Sequence, residues 1–278
     1  MTGNVILTAA LRSNLLSLQG TQKLLDTTQY RLATGLKVNS ALDNASAFFT
    51  SQSLTNNASD LSTLLDGMGQ SIQALKATDI GITGATQLVN QMLSVAQQAK
   101  AATAGSSAAT YTAQYDALGV QLDQLVADAG YNGVRLLADA TNTSVVQFNV
   151  ANTSSITLQG VTDTRVGLGL GAGANNFGAG GLIVYATIDT QITALNAALA
   201  TLRAQANTFS QNLSVIQNRQ DFSENLINIL TEGSNRLVVA DKNEEGAKLL
   251  SLQTTQQLGI QALSLASQAN QAVLRLFS

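Results

Sequence analysis

Residues 54–96 read LTNNASDLSTLLDGMGQSIQALKATDIGITGATQLVNQMLSVA. Alternating steps of four and three from Leu54 reach Ala58, Leu61, Leu65, Met68, Ile72, Leu75, Asp79, Ile82, Thr86, Val89, Leu93 and Ala96. Only Asp79 and Thr86 interrupt this apolar row, and a 4-3 repeat held so long marks a coiled-coil seam. At about 1.5 Å per residue the rod is roughly 60 Å long. It cannot bury its seam alone, so it needs partners of similar length.

The chain supplies them. From Leu195 the same stepping passes through Leu199, Leu202, Ala206, Phe209, Leu213 and Ile216 and reaches Leu237. A shorter row runs through Tyr111, Tyr115, Leu118, Leu122, Leu125 and Ala129. After Ala140 the period changes: residues 145–150 (VVQFNV) and 156–159 (ITLQ), joined by ANTSS, predict a hairpin. Residues 182–186 (LIVYA) predict one more strand. The Gly-rich stretch 167–181 lacks a GxGxxG pattern in a βαβ setting and reads as a surface turn, not a nucleotide site. The expected fold is mainly α: a long coiled-coil-like helical bundle with a small β-hairpin region.

Composition excludes several function classes. The chain has no Pro, no Cys and no His, so it has no forced kinks, no disulfides and none of the usual zinc or Ser-His-Asp arrangements. No cofactor is expected. Charged residues are only 11% and net charge is −3, which gives no electrostatic reason to bind nucleic acid. No run of eighteen apolar residues predicts a membrane span, and the N-terminus lacks a basic-then-apolar secretory signal.

The two ends carry unpaired stripes. Leu11, Leu15, Leu18, Leu25, Leu32 and Leu36 share one register, broken at Gln22 and Gln29. This is either an ordinary core helix or a segment that orders only against a partner. Near the C-terminus one row runs Leu249, Leu252, Gln256, Gly259, Leu263, Ala266, Asn270, Val273, Phe277, and a second runs Leu258, Leu265, Ala269, Ala272, Leu276. A helix apolar on two sides must be covered on two sides. The N-terminal stripe can cover one side, and another molecule must cover the other. Between stripe and rod, Gly35 and Asn39-Ser40 mark a junction, with Asp43 or Asn44 as the cap of the next helix. Gly67, Gly69, Gly81 and Gly84 inside the first rod mean either local looseness or close approach of a neighbouring subunit.

Four motifs in order carry a family resemblance. Residues 31–44 (RLATGLKVNSALDN) resemble the N-terminal flagellin motif RLSSGLRINSAxDDA, and residues 131–137 (YNGVRLL) its FNGxxLL turn. Residues 235–241 (NRLVVAD) resemble its SRIxDAD joint, with Val239 in place of the first Asp. Residues 267–277 (SQANQAVLRLF) are similar to the flagellin C-terminus ANQxPQxVLxLL without its Pro.

The resemblance implies a short bacterial flagellin without large outer domains. It is then an extracellular structural subunit of the flagellar filament, exported by the flagellar type III route without a cleaved signal peptide, and not an enzyme. Residues 1–43 with 237–278 would form a terminal coiled-coil domain in the inner filament core. Residues 44–236 would form a helical rod domain, with the hairpin and Gly-rich loop at about 141–187. Leu11, Leu15, Leu18, Leu25, Leu32, Leu249, Leu252, Leu263, Val273 and Phe277 would be the polymerisation seams. Implied partners are other copies in a helical homopolymer, an export chaperone, and the filament cap and hook-associated proteins. The alternative is the hook–filament junction protein. Val89, Gln91, Met92, Leu93, Ser94 and Val95 align with a face used between protofilaments and by the vertebrate toll-like receptor for flagellin. Gln91, Leu93 and Ser94 stand where that motif has Arg, Arg and Glu. Thr143, Ser144, Thr153 and Ser154 are candidate O-glycosylation positions on the hairpin.

Overall fold

A computed structural model describes residues 9–171, 176–178 and 181–276. The elements in order are α1 (Ala9–Thr34), α2 (Ala41–Ala101), α3 (Ala109–Asp128), β1 (Thr143–Gln147), β2 (Ser155–Gln159), α4 (Tyr185–Val238) and α5 (Lys242–Leu276). The fold is mainly α with one two-stranded antiparallel sheet, as the periodicities predict. Contacts divide the chain into two compact units, one of residues 1–56 and 229–278, the other of residues 57–228.

In the second unit the 4-3 row of α2 packs as a seam. Met68, Ile72, Leu75, Ile82, Val89 and Ala96 are buried, and Asp79 is exposed. Tyr115 and Leu122 of α3 and Leu195, Leu202, Phe209 and Ile216 of α4 join them in one core. Gly81 and Gly84 decide how close α3 comes. A Cβ on Gly81 would stand 2.6 Å from both Ala129 Cβ and Leu137 Cδ1, and one on Gly84 would stand 2.8 Å from Leu125 Cδ1. The neighbour that needs these glycines is thus part of the same chain, while Gly67 and Gly69 face open space.

α3 ends at Ala129, whose N–H bonds Leu125 O before the chain reverses at Asn132 (φ 48°) and Gly133 (φ 83°). Tyr131 and Val134 exchange backbone hydrogen bonds of 3.0 and 2.9 Å across that turn, where positive φ suits Asn-Gly. In the hairpin, Ser144, Val146, Ile156 and Leu158 share the inward face. Phe148 leaves the ladder and takes the Arg219 guanidinium of α4 over its ring at 5.3 Å.

The expected strand at 182–186 does not form. Leu182 makes one bridge, to Ser107, and α4 has begun by Tyr185. The loop before α3 takes the backbone groups instead, through Gly105 N–H to Ile183 O and Ile183 N–H to Ser106 O. With those groups satisfied locally, the β-branched run has no sheet edge to join.

In the first unit the junction resolves the choice of cap. Asn44 leaves helical geometry (φ −162°, ψ 100°), and its Oδ1 accepts the Ala47 N–H at 3.0 Å. Asp43 closes the preceding turn, its Oδ2 accepting the N–H groups of Asn39 (2.9 Å) and Ser40 (3.0 Å). These bonds to the charged form hold its carboxyl below the usual range.

Candidate assembly surface

α1 and α5 lie antiparallel in the first unit. Leu18 meets Gly259, Gln22 accepts a 2.6 Å hydrogen bond from Gln256, and Arg31 pairs with Glu245 at 3.2 Å. Residue numbers rise on one helix as they fall on the other. The pairing continues past the helix ends: Leu36 bridges Val239, and Ala240 N–H donates to Gly35 O. On α5 these contacts fall on the row Glu245, Leu249, Leu252, Gln256, Gly259, Leu263, Ala266, a strict 4-3 repeat that is half-buried or better throughout. On α1 the packed row is Leu18, Thr21, Leu25, Thr28, Leu32.

The α1 register differs from the leucine stripe in one respect. Thr21 and Thr28 are buried, whereas Gln22, Gln29 and Leu15 are exposed. A threonine can enter a helix seam because its hydroxyl bonds back into its own helix, as Thr21 does to Ser17 O at 3.0 Å. The longer Gln22 amide turns outward, where it donates to Asp26 at 3.0 Å and accepts from Gln256. Phe277 lies outside the described residues, as do the side chains of Leu11 and Val273.

The other side of each helix carries large apolar groups in water. On α5 these are Leu250, Leu258, Ile260 and Leu265, the last 71% exposed. On α1 they are Leu16, Leu24 and Tyr30. No charge relieves α5 between Lys248 and Arg275. Scattered exposed leucines are ordinary, but Leu258 and Leu265 stand two helical turns apart on one stripe of a stretch that carries no charge.

The stretch 89–95 corrects an expectation. Val89 and Met92 are fully buried and Val95 is 9% exposed, because all three serve the core of the second unit. Asn90, Gln91, Leu93 and Ser94 of that stretch reach the surface, with Leu93 half-buried. On the hairpin, Thr143 and Thr153 are exposed and Ser144 and Ser154 half-buried.

One polar cluster went unread in the sequence. Arg165 is buried, donates to Gly171 O through Nε at 2.9 Å and through Nη2 at 2.6 Å, and pairs with Asp116. Its guanidinium also lies 5.4 Å from the Tyr115 ring centre. The burial that accompanies this packing pushes the Tyr115 hydroxyl up to about 12. The available signal was that Arg165 is the only cation between Arg135 and Arg203. The cluster anchors a loop and offers no exposed reactive group. Among the described residues no group of three or more acidic side chains could hold a metal ion, and no helix is long and apolar enough to cross a membrane.

Comparison with known proteins accounts for these surfaces. Residues 6–142 match the family model described as the bacterial flagellin N-terminal helical region. The chain is 30% identical to flagellin FljK and 31% identical to flagellin FljM of Caulobacter vibrioides, each over 94% of this chain and 93% of the relative. It is 28% identical to a flagellin of Brucella melitensis, over 94% of both chains. Near-equal coverage on both sides places those relatives in the same length class, without large outer domains. The chain belongs to the flagellin family, the structural subunits of the bacterial flagellar filament.

Proposed function

We propose that the subunit polymerises by burying the free apolar row of α5, Leu258 and Leu265 with Leu250 beside it, against other copies of the chain. The observation that carries this is the two-sidedness of α5: one row is seated on α1 while the other stands in water. Full burial of one leucine is worth about 1.5–3 kcal/mol, so a few per subunit suffice to drive a repeated contact. In this reading residues 1–43 and 237–278 form the polymerising domain and residues 44–236 the rod. The antiparallel pairing of residues 35–38 with 238–240 supports a joint there.

Leu11, Leu15, Leu18, Leu25, Leu32, Leu249, Leu252, Leu263, Val273 and Phe277 are the seams of that domain. Leu249, Leu252 and Leu263 lie on the side of α5 that faces α1, and the exposed Leu15 adds to the outer surface. The uncharged stretch 249–274 of α5, with its free leucines, also suits an export chaperone that covers it before assembly, and the type III route, cap and hook-associated proteins follow from the same reading. The protein has a structural role and no catalytic one. The hairpin hydroxyls of Thr143, Ser144, Thr153 and Ser154 are the positions we assign to O-linked sugar.

The test is Leu265→Asp, studied with filament seeds. A helical monomer with unchanged melting and no elongation is expected, because a charge in the free row must be desolvated on assembly. Normal filaments would remove the free row from the interface.

A further inference from the structure

We propose that Asp163 and Gln205 form a proton-controlled latch that fastens the segment after the hairpin to α4. Asp163 is fully buried, and neither of its carboxylate oxygens has a hydrogen-bond partner. Across from it the Gln205 amide of α4 is near enough to influence the carboxyl but is not aligned to bond it, and Gln205 Oε1 is likewise buried without a partner. The two carboxylate oxygens and Gln205 Oε1 are thus all buried without an aligned donor, the Gln205 amide N–H groups included.

The backbone on either side is fixed. Val161 N–H donates to Leu136 O at 2.7 Å and Asp163 N–H to Leu137 O at 2.9 Å, so the segment cannot swing the carboxylate out to water without breaking these bonds. Neighbouring charges are committed elsewhere. Arg165 bonds Asp116 and Gly171 O, Asp123 accepts the Arg165 N–H, and Arg203 of α4 is exposed.

One proton supplies the missing donor. On Asp163 it makes an O–H that can donate to Gln205 Oε1 once the amide turns to face it, and it removes the cost of a buried, unpaired charge. Burial pushes the carboxyl up to about 6, only partly countered by Gln205. The sign is opposite to that of a salt-bridged Asp. A raised native value means stability that is complete below the unfolded value of 3.8 and lost as pH rises through about 6. A shift of about two units is about a hundredfold in the folding equilibrium.

The experiment is thermal unfolding of the full chain between pH 4 and pH 8, with and without Asp163→Asn, which mimics the protonated form. Wild type should lose stability across pH 5–7, and the variant should be flatter and melt higher than wild type at pH 8. Parallel curves for the two proteins overturn the proposal. If the variant does not fold, hydrogen exchange of wild type at pH 5.5 and 7.5, corrected for intrinsic rate, decides. Weaker protection of residues 136–163 at the higher pH is expected, and equal protection overturns the latch.

Discussion

Leu18 Cδ1 lies 2.8 Å from where a β-carbon on Gly259 would stand, so the leucine of α1 fills the notch left by the glycine of α5. Gly259→Ala asks only the flexible end of Leu18 to move, and its helix propensity gains about 1 kcal/mol. Gly259→Val adds branched bulk that the seam cannot take. We expect the alanine variant to melt near wild type and the valine variant to lose both pairing and filament yield. Equal melting of the valine variant would show that the notch does not set the register.

Leu202 is fully buried in the core of the second unit. Leu202→Ala should cost about 2–5 kcal/mol, the transfer term plus the cavity left behind. Denaturant unfolding of the monomer measures it, and a loss under about 1 kcal/mol would contradict the packing described.

Arg165→Met keeps much of the apolar stem but removes both bonds to Gly171 O and the partner of Asp116. Hydrogen bonds to charged groups contribute about 1.5–3 kcal/mol each, so a drop of about 3 kcal/mol is expected. The drop should come with faster proteolysis near Gly171. Unchanged cleavage there would mean that the loop holds itself.

Asp43 gives the acid limb of stability. Its carboxyl is held low by the N–H groups of Asn39 and Ser40. Its contribution is therefore present above the ordinary carboxylate value and lost as pH falls through the lower native one, below about pH 4. Asp43→Asn should lower stability across pH 5–8 and flatten the unfolding curve between pH 2 and pH 4. An equally steep acid limb would point to other carboxylates.

Receptor recognition should be weak. Asn90, Gln91, Leu93 and Ser94 are surface residues of the stretch that the resemblance assigns to the flagellin receptor, and none is charged. Arginine anchors can carry 2 kcal/mol or more at an interface, and each 1.4 kcal/mol is about tenfold in affinity. A receptor-reporter assay beside a flagellin with Arg-x-Arg-Glu at this place should show much lower potency, rising in Gln91→Arg, Leu93→Arg, Ser94→Glu. Equal potency of the unaltered protein would locate recognition elsewhere.

The long rods were legible because burial repeats every three or four residues over many turns, with interruptions as few as Asp79 and Thr86 in α2. The hairpin was legible for the matching reason at period two. Three features were not. The run at 182–186 has strand-forming residues, but a loop far away in sequence took its hydrogen bonds. Thr21 and Thr28 sit in the α1 seam because a hydroxyl can turn back to its own helix, and a hydropathy pattern scores them as polar. Val89, Met92 and Val95 align with a surface motif, yet α2 turns that side inward. The apolar stripe on α5 was readable as two rows, but only the pairing with α1 identifies which of them is free.

A methyl group absent from Gly81 sets the position of an element sixty residues away. Ala129 and Leu137 rest where that carbon would be, and the carbonyls of Leu136 and Leu137 hold Val161 and Asp163, the residues that follow β2. Any side chain at position 81 would lift this support, and the whole β-ribbon would ride outward with it. The hairpin is thus levelled from a point on the helix that looks, in one dimension, like a flaw.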